Sequence, residues 1–254
     1  KDTILSGNEE IILVNYTLVL RVRQILIESG FCSIIPGGEM KQLSIGKIRG
    51  LQQIANPDGI FIMCAMDHRG SLRSMIDEEH PEEVDYLEMV QRKLELCSTL
   101  AKYTSAVLLD PIFGAAQCIT NSVLPKDTGL LVSIEATGYH GGKGHRLTEL
   151  LEGWSVEKIK RMGASGVKIL VYYRPDLKEL ASQQLNTVNR VAKECIKHDL
   201  PFLVEPVSYP VGNEINNPVE FANLKEQLVI KSAQDITALP IDVLKAEFPA
   251  DPHY

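Results

Sequence analysis

Two lysines and two carboxylates sit in stretches that otherwise read as buried β-strands. Asp67 closes GIFIMCAMD (59–67), Lys168 lies in GVKILVYY (166–173), Glu205 in PFLVEPVSY (201–209) and Lys245 in DVLKAEFP (242–249). A charge in such a strand is costly unless it is paired or used. A neutral lysine amine attacks a carbonyl to form a Schiff base, and burial near a second ammonium favours the neutral form. The protonated imine withdraws electrons, so a neighbouring C–C bond can break. Making the imine needs a proton donor, and breaking the bond needs a base at the departing hydroxyl, both of which carboxylates can supply. On this reading Lys245 is the nucleophile, Glu205 the acid/base, Asp67 a polar or basic partner and Lys168 an electrostatic modulator. The competing reading is a buried ion-pair network of purely structural use.

The elements that must bring these residues together follow a βα rhythm. Strands are predicted at 59–67, 105–110, 129–135, 166–173, 201–209 and 241–248, mostly as continuous apolar runs suited to parallel strands covered on both faces. Pro81 with Glu82 and Glu83 predicts a helix start, followed by an apolar face of Val84, Leu87, Val90, Leu94 and Ala101. Ser155 predicts the cap of a short helix ended by Gly163. Leu177, Leu180, Gln184, Val188, Val191 and Cys195 trace another helix, and Asn217-Pro218 opens a last one with Phe221, Leu224 and Leu228 facing inward. This alternation fits a (β/α)8 TIM barrel or an open doubly wound sheet. Polar residues at the ends of at least five strands favour the barrel, and DHRGSL after the first strand is not a dinucleotide-binding turn. Alternation along each strand then points Lys168, Glu205 and Lys245 into the barrel, with Leu244, Ala246 and Phe248 toward the helices. Six strands where eight are needed imply a barrel truncated after the sixth.

Composition narrows the class. The chain has 254 residues, 44% hydrophobic and 23% charged, enough for one large domain. A net charge of −7 speaks against nucleic acid as a partner. Five scattered cysteines without a CxxC pair argue against a disulfide framework or zinc site and for a reducing cytoplasm. The apolar run from Ile11 to Leu20 is too short to span a membrane. Lys1 is not a natural start, and Met40 opens an amphipathic pattern. Residues 1–39 are therefore expected to be an extension, with Gly37-Gly38-Glu39 the translation of a ribosome-binding site, and 40–254 an incomplete barrel. GYHGGKGH (138–145) fails the phosphate-loop pattern and is expected to be a flexible loop on the catalytic face. The spacing of His140 and His145 fixes no metal geometry, so no metal and no cofactor is expected. Asp110 and Glu135 are placed near the site but outside its contacts, and Trp154 in helix packing.

AMDHRGSL (65–72), SAVLLDP (105–111), TGY (137–139), GW (153–154), GVKILVYY, PFLVEPVSY and DVLKAEFP resemble, in order and spacing, the class I tagatose 1,6-bisphosphate aldolase family. The resemblance covers about residues 40–254 and implies a (β/α)8 barrel. It also implies metal-free cleavage of a ketohexose bisphosphate into dihydroxyacetone phosphate and glyceraldehyde 3-phosphate. By that resemblance Lys245 matches the Schiff-base lysine, and Lys168, Glu205 and Asp67 match the charged residues of strands four, five and one. His68 stands where the family usually has a substrate-contacting glutamine, and His68, Arg69 and Val207 are assigned to substrate binding. The family's phosphate-gripping loops would lie beyond Tyr254, so this fragment is expected to be poorly active alone. Fructose bisphosphate, a sulfonated analogue, or a non-catalytic sugar-phosphate-binding barrel remain as alternatives. The expected partner is a phosphorylated sugar, with no membrane and with room for a homo-oligomer.

Overall fold

The computed structural model describes residues 32–34 and 40–247. A short antiparallel pair, β1 (Cys32–Ile34) and β2 (Met40–Gln42), comes first. It joins residues on both sides of the boundary expected at 39/40, and the rest of 1–39 lies outside the described residues. Six strands follow: β3 (Met63–Met66), β4 (Ala106–Leu109), β5 (Gly129–Ser133), β6 (Gly166–Tyr172), β7 (Phe202–Val207) and β8 (Val243–Leu244). They form one parallel sheet in the order β3-β4-β5-β6-β7-β8. A doubly wound sheet reverses its order at a switch point. This one never does, and it is the α/β sheet of a (β/α)8 TIM barrel over six strands. Every predicted strand contains an observed one, with β3 and β8 much shorter than expected.

Alternation along the strands divides the core into two layers. Ala106, Leu108, Leu131, Leu203 and Val243 line the concave side, where they meet Leu51 and Ile54 of α1 (Ile45–Ile54). The alternate residues Val107, Leu109, Val132, Val167, Ile169, Val171 and Val204 face the outer helices. Those helices include α3 (Tyr86–Leu100), α5 (Val156–Met162), α6 (Lys178–Lys197) and α7 (Pro218–Thr237); the short α2 (Gly70–Ile76) and α4 (Ala115–Thr120) follow β3 and β4. Cys97, Cys118 and Cys195 are buried as free thiols in that layer, and Trp154 packs on its edge. Ser155 caps α5, Gly163 ends it at φ 96°, and Asn217 with Pro218 opens α7, each as the sequence suggests. No helix among the described residues is long and apolar enough to cross a membrane.

Two helix predictions need correction. Residues 81–83 form a turn, and α3 begins at Tyr86. There Asp85 accepts from the Glu88 amide at 2.9 Å and Glu88 accepts from the Asp85 amide at 3.0 Å, a reciprocal cap that Pro81 cannot offer. The buried face of α3 is Met89, Lys93 and Cys97, whereas Leu87 is 71% exposed. A lysine in the middle of that stripe disguised it. On α7 Leu224 is exposed, and Leu228, Val229, Ser232 and Ile236 are the buried positions.

The barrel's lower end is closed by α1, and the contact is close enough to demand glycine. A Cβ on Gly50 would lie 2.5 Å from the Ser165 carbonyl oxygen and 2.6 Å from the Pro201 ring. Lys47 adds a buried ion pair to Asp242 at 2.5 Å, fastening α1 to the start of β8. Gly50→Ala is expected to lower stability by about 1–3 kcal/mol, the usual cost of overpacking a core. Gly144→Ala, where a Cβ meets nothing within 4 Å, should leave the melting temperature unchanged. Paired thermal melts followed by circular dichroism check both.

Candidate active site

Parity and register deliver the charged residues to one place. Lys168 and Tyr172 share the concave face of β6, and Glu205 and Val207 that of β7, with Tyr172 opposite Val207 in register. The register that sets Leu203 beside Val243 carries Glu205 beside Lys245, whose amide donates to the Val204 carbonyl at 2.9 Å. Asp67 follows β3 directly.

At the centre is Lys168, whose side chain is 2% exposed. Its Nζ lies 2.7 Å from Asp67 Oδ2, 2.8 Å from Glu135 Oε1 and 3.1 Å from Glu205 Oε2. The other oxygen of Glu205 is 2.5 Å from Lys245 Nζ. The structure thus brings Asp67, Lys168, Glu205 and Lys245 together and adds Glu135, which sequence reasoning had left outside the contacts. Glu135 comes just after β5, where its backbone bridges to Leu150. The sequence places it near the site; its contact with Lys168 is a cross-strand one that no local pattern encodes.

The electrostatics correct a second expectation. The two ammoniums do not simply repel each other, because Glu205 stands between them. Burial alone would push Lys168 toward the neutral amine, but Asp67, Glu135 and Glu205 outweigh it and hold the ammonium well above its ordinary range. Burial works to raise Asp67, but Lys168, with help from His68 and Lys245, brings it down from 3.8 to about 2. Glu135 moves the other way: its burial, reinforced by Asp67, exceeds the pull of Lys168 and raises it. Lys245 is the more accessible lysine, its side chain 28% exposed.

Of the residues assigned to substrate binding, Arg69 is buried and donates from Nη2 to the Glu135 carbonyl at 2.7 Å. Its Nη1 is buried without a hydrogen-bond partner among the described residues. His68 is exposed, and Val207 is partly buried on the rim. GYHGGKGH is not an irregular loop. His140 and Leu147 exchange both backbone hydrogen bonds at 2.9 Å, making a hairpin whose tip turns at Gly141 and Gly142, with φ 94° and 84°. His140 and His145 are exposed on it.

Lys93 was not foreseen. Its side chain is fully buried, 3.1 Å from the equally buried Asp110. It donates to the carbonyls of Met66 and His68, the two residues flanking Asp67. Asp110 in turn accepts from the amides of Ile112 and Phe113 at 2.9 and 2.7 Å. Lys93 therefore secures the backbone that carries Asp67. The only sequence signal was a lysine at the helical spacing of Met89 and Cys97.

A TIM-barrel sheet with a lysine–carboxylate cluster on its concave face, on or directly beyond the strands, defines the class, and comparison with known proteins narrows it. The crystal structure of an archaeal fructose 1,6-bisphosphate aldolase superimposes with a TM-score of 0.51 at 19% identity, covering 80% of this chain and 71% of its own, which supports the fold. Tagatose 1,6-diphosphate aldolases of Staphylococcus aureus strains JH9 and Newman are 34% identical over 212 residues, 82% of this chain. The family profile described as DeoC/LacD family aldolase matches residues 61–253. The chain belongs to the DeoC/LacD aldolase family. It spans 64% of the length of those curated relatives.

Two measurements probe the site's energetics. An Asp67 carboxyl held near 2 stabilises the fold above about pH 4, and that contribution is lost as pH falls toward 2. Asp67→Asn should remove about 2 kcal/mol of pH-dependent stability, flattening the acid limb of a melting-temperature profile. Lys93→Met should cost about 3–5 kcal/mol by stranding Asp110. A double Lys93→Met, Asp110→Asn variant should recover part of that loss in urea titrations, and additive losses would deny the coupling.

Proposed function

We propose that the protein carrying this chain is a Schiff-base aldolase that cleaves a phosphorylated ketohexose, tagatose 1,6-bisphosphate, to dihydroxyacetone phosphate and glyceraldehyde 3-phosphate. The observation that carries the reading is the 2.5 Å contact between Lys245 Nζ and Glu205 Oε1. Lys245 is a lysine at the end of a barrel strand, accessible to a ligand and in contact with a base.

Proton transfer from Lys245 to Glu205 frees the amine, which attacks the ketone carbon at C2. Glu205 returns the proton to the departing hydroxyl, water leaves, and the iminium forms. A carboxylate of the cluster then removes the proton from the C4 hydroxyl. The C3–C4 bond breaks, its electron pair moves into the iminium, and the aldehyde departs. Protonation of the enamine at C3 and hydrolysis of the imine release the second product and restore the amine. Lys168, as a permanent ammonium, keeps Asp67 ionised and stabilises the negative charge that remains when Glu205 takes part. Each of these roles draws on a contact within the ion cluster.

The test is reductive trapping. Borohydride with dihydroxyacetone phosphate should fix a covalent adduct on the peptide containing Lys245, visible by mass spectrometry. Lys245→Arg should abolish the adduct and lower kcat by at least about 10³-fold. Glu205→Gln should lower kcat by about 10²–10⁴-fold. An active enzyme that forms no adduct and loses its activity in chelator would sink the proposal.

A further inference from the structure

Arg146 lies on the returning arm of the hairpin between β5 and α5, and the mechanism does not use it. Three tyrosines hold its guanidinium: the central carbon is 4.6 Å from the ring centre of Tyr139, 4.9 Å from Tyr209 and 5.4 Å from Tyr172. The rings also support one another edge to face, Tyr139 against Tyr172 at 5.2 Å and Tyr172 against Tyr209 at 6.1 Å. The backbone is fastened as well. The Arg146 amide donates to the Tyr209 hydroxyl at 3.3 Å, and Gln184 donates to the carbonyls of Arg146 and Tyr172 at 3.2 and 2.9 Å.

Held this firmly, the guanidinium still has little to bind. Nε donates to the Lys143 carbonyl at 3.3 Å. Among the described residues no carboxylate lies within ion-pair distance of it, and its two terminal nitrogens have no hydrogen-bond partner. Arg174, also immobile, contrasts with it: Asp176, Glu214 and the Tyr209 carbonyl occupy its nitrogens. An arginine normally gives up much side-chain freedom on binding an anion. Here the rings already surround its central carbon, while its terminal nitrogens keep the donors whose fork matches a phosphate.

Its position ties it to the ion cluster. Tyr172 shares the concave face of β6 with Lys168, four residues and roughly 13 Å further along the strand. The Tyr172 phenol is raised by burial, with Arg146 lowering it and Tyr139 and Glu135 raising it further. Arg146 therefore stands beside the carboxyl end of β6, with Lys168 deeper on the same face of that strand.

We propose that Arg146, oriented by Tyr139, Tyr172 and Tyr209, is an anion-binding residue of the catalytic rim that receives a phosphate monoester group of the ligand. That the phosphate belongs to a ketose substrate rests on the function proposed above; that the site takes a phosphate dianion does not.

Two readouts keep those claims apart. Calorimetric titration with inorganic phosphate should show binding that Arg146→Gln weakens about 10- to 100-fold, as expected for charge-assisted hydrogen bonds. Arg146→Lys should weaken it less, and Tyr139→Leu should weaken it while leaving the charge in place. In turnover, Arg146→Gln should raise KM for the ketose bisphosphate by a similar factor, leaving borohydride trapping of Lys245 by unphosphorylated dihydroxyacetone unchanged. Unaltered phosphate binding and KM in Arg146→Gln would overturn the proposal. So would an equal loss with phosphorylated and unphosphorylated ligands together with a lowered melting temperature, which would mark Arg146 as a fastening for the hairpin. If phosphate binding depends on Arg146 but Lys245 is never trapped, the anion site stands and the aldolase reading fails.

Discussion

A single ammonium surrounded by three carboxylates governs this molecule's polar interior. Lys168 is almost wholly desolvated, and burial alone pushes it toward the neutral amine. Asp67, Glu135 and Glu205 reverse that preference. The carboxylates in turn are tolerable in the barrel only because Lys168 is charged. The cluster is thus mutually dependent, and its excess of negative over positive groups has a visible outcome. Asp67 is driven down and Glu135 up, so two carboxylates bound to the same nitrogen differ in their readiness to hold a proton. Environments that separate like groups in this way are how one site can accommodate both acid and base.

The lower half of the barrel serves the upper half by being rigid and dry. Leu51 and Ile54 of α1 seal the concave core from below, and glycine at position 50 lets the helix approach the chain beside β6 and β7. Lys93 does comparable work from the outside of the sheet, reaching under the turn after β3 to grip the carbonyls on either side of Asp67. In the proposed reaction the groups that must keep their geometry lie on strands or directly beyond them. The hairpin with Tyr139 and Arg146 adds an excursion of chain between β5 and α5.

What was legible in the sequence, and what was not, follows from how each residue is neutralised. Lys168, Glu205 and Lys245 stood out because each interrupts an apolar strand, and strand parity sends them to one face. Sequential strand order, and so the barrel, followed from polar residues at many strand ends. Glu135 was placed near the site but outside its contacts, because the ion pair to Lys168 joins two strands and leaves no mark in SIEATGY. Lys93 was hidden because a helix tolerates a lysine anywhere on its surface. That this lysine is buried depends on Asp110, a partner distant in sequence, and no local pattern encodes such a pair. Arg146 was obscured by its glycine-rich neighbours, which suggested mobility. The rings that immobilise it come from β6 and the segment after β7 as well as from the hairpin itself.

The contact between Asp67 and Lys168 joins a residue at the end of β3 to one on β6, with β4 and β5 between them. Laid flat, strands three places apart are separated by roughly 14 Å, well beyond a 2.7 Å hydrogen bond between their side chains. The bond therefore measures the curl of the sheet. The five ionic positions meet only because the sheet curls, so each of them depends on the arc that gathers the strands. Altering one alone would leave a counter-charge on a neighbouring strand without its partner.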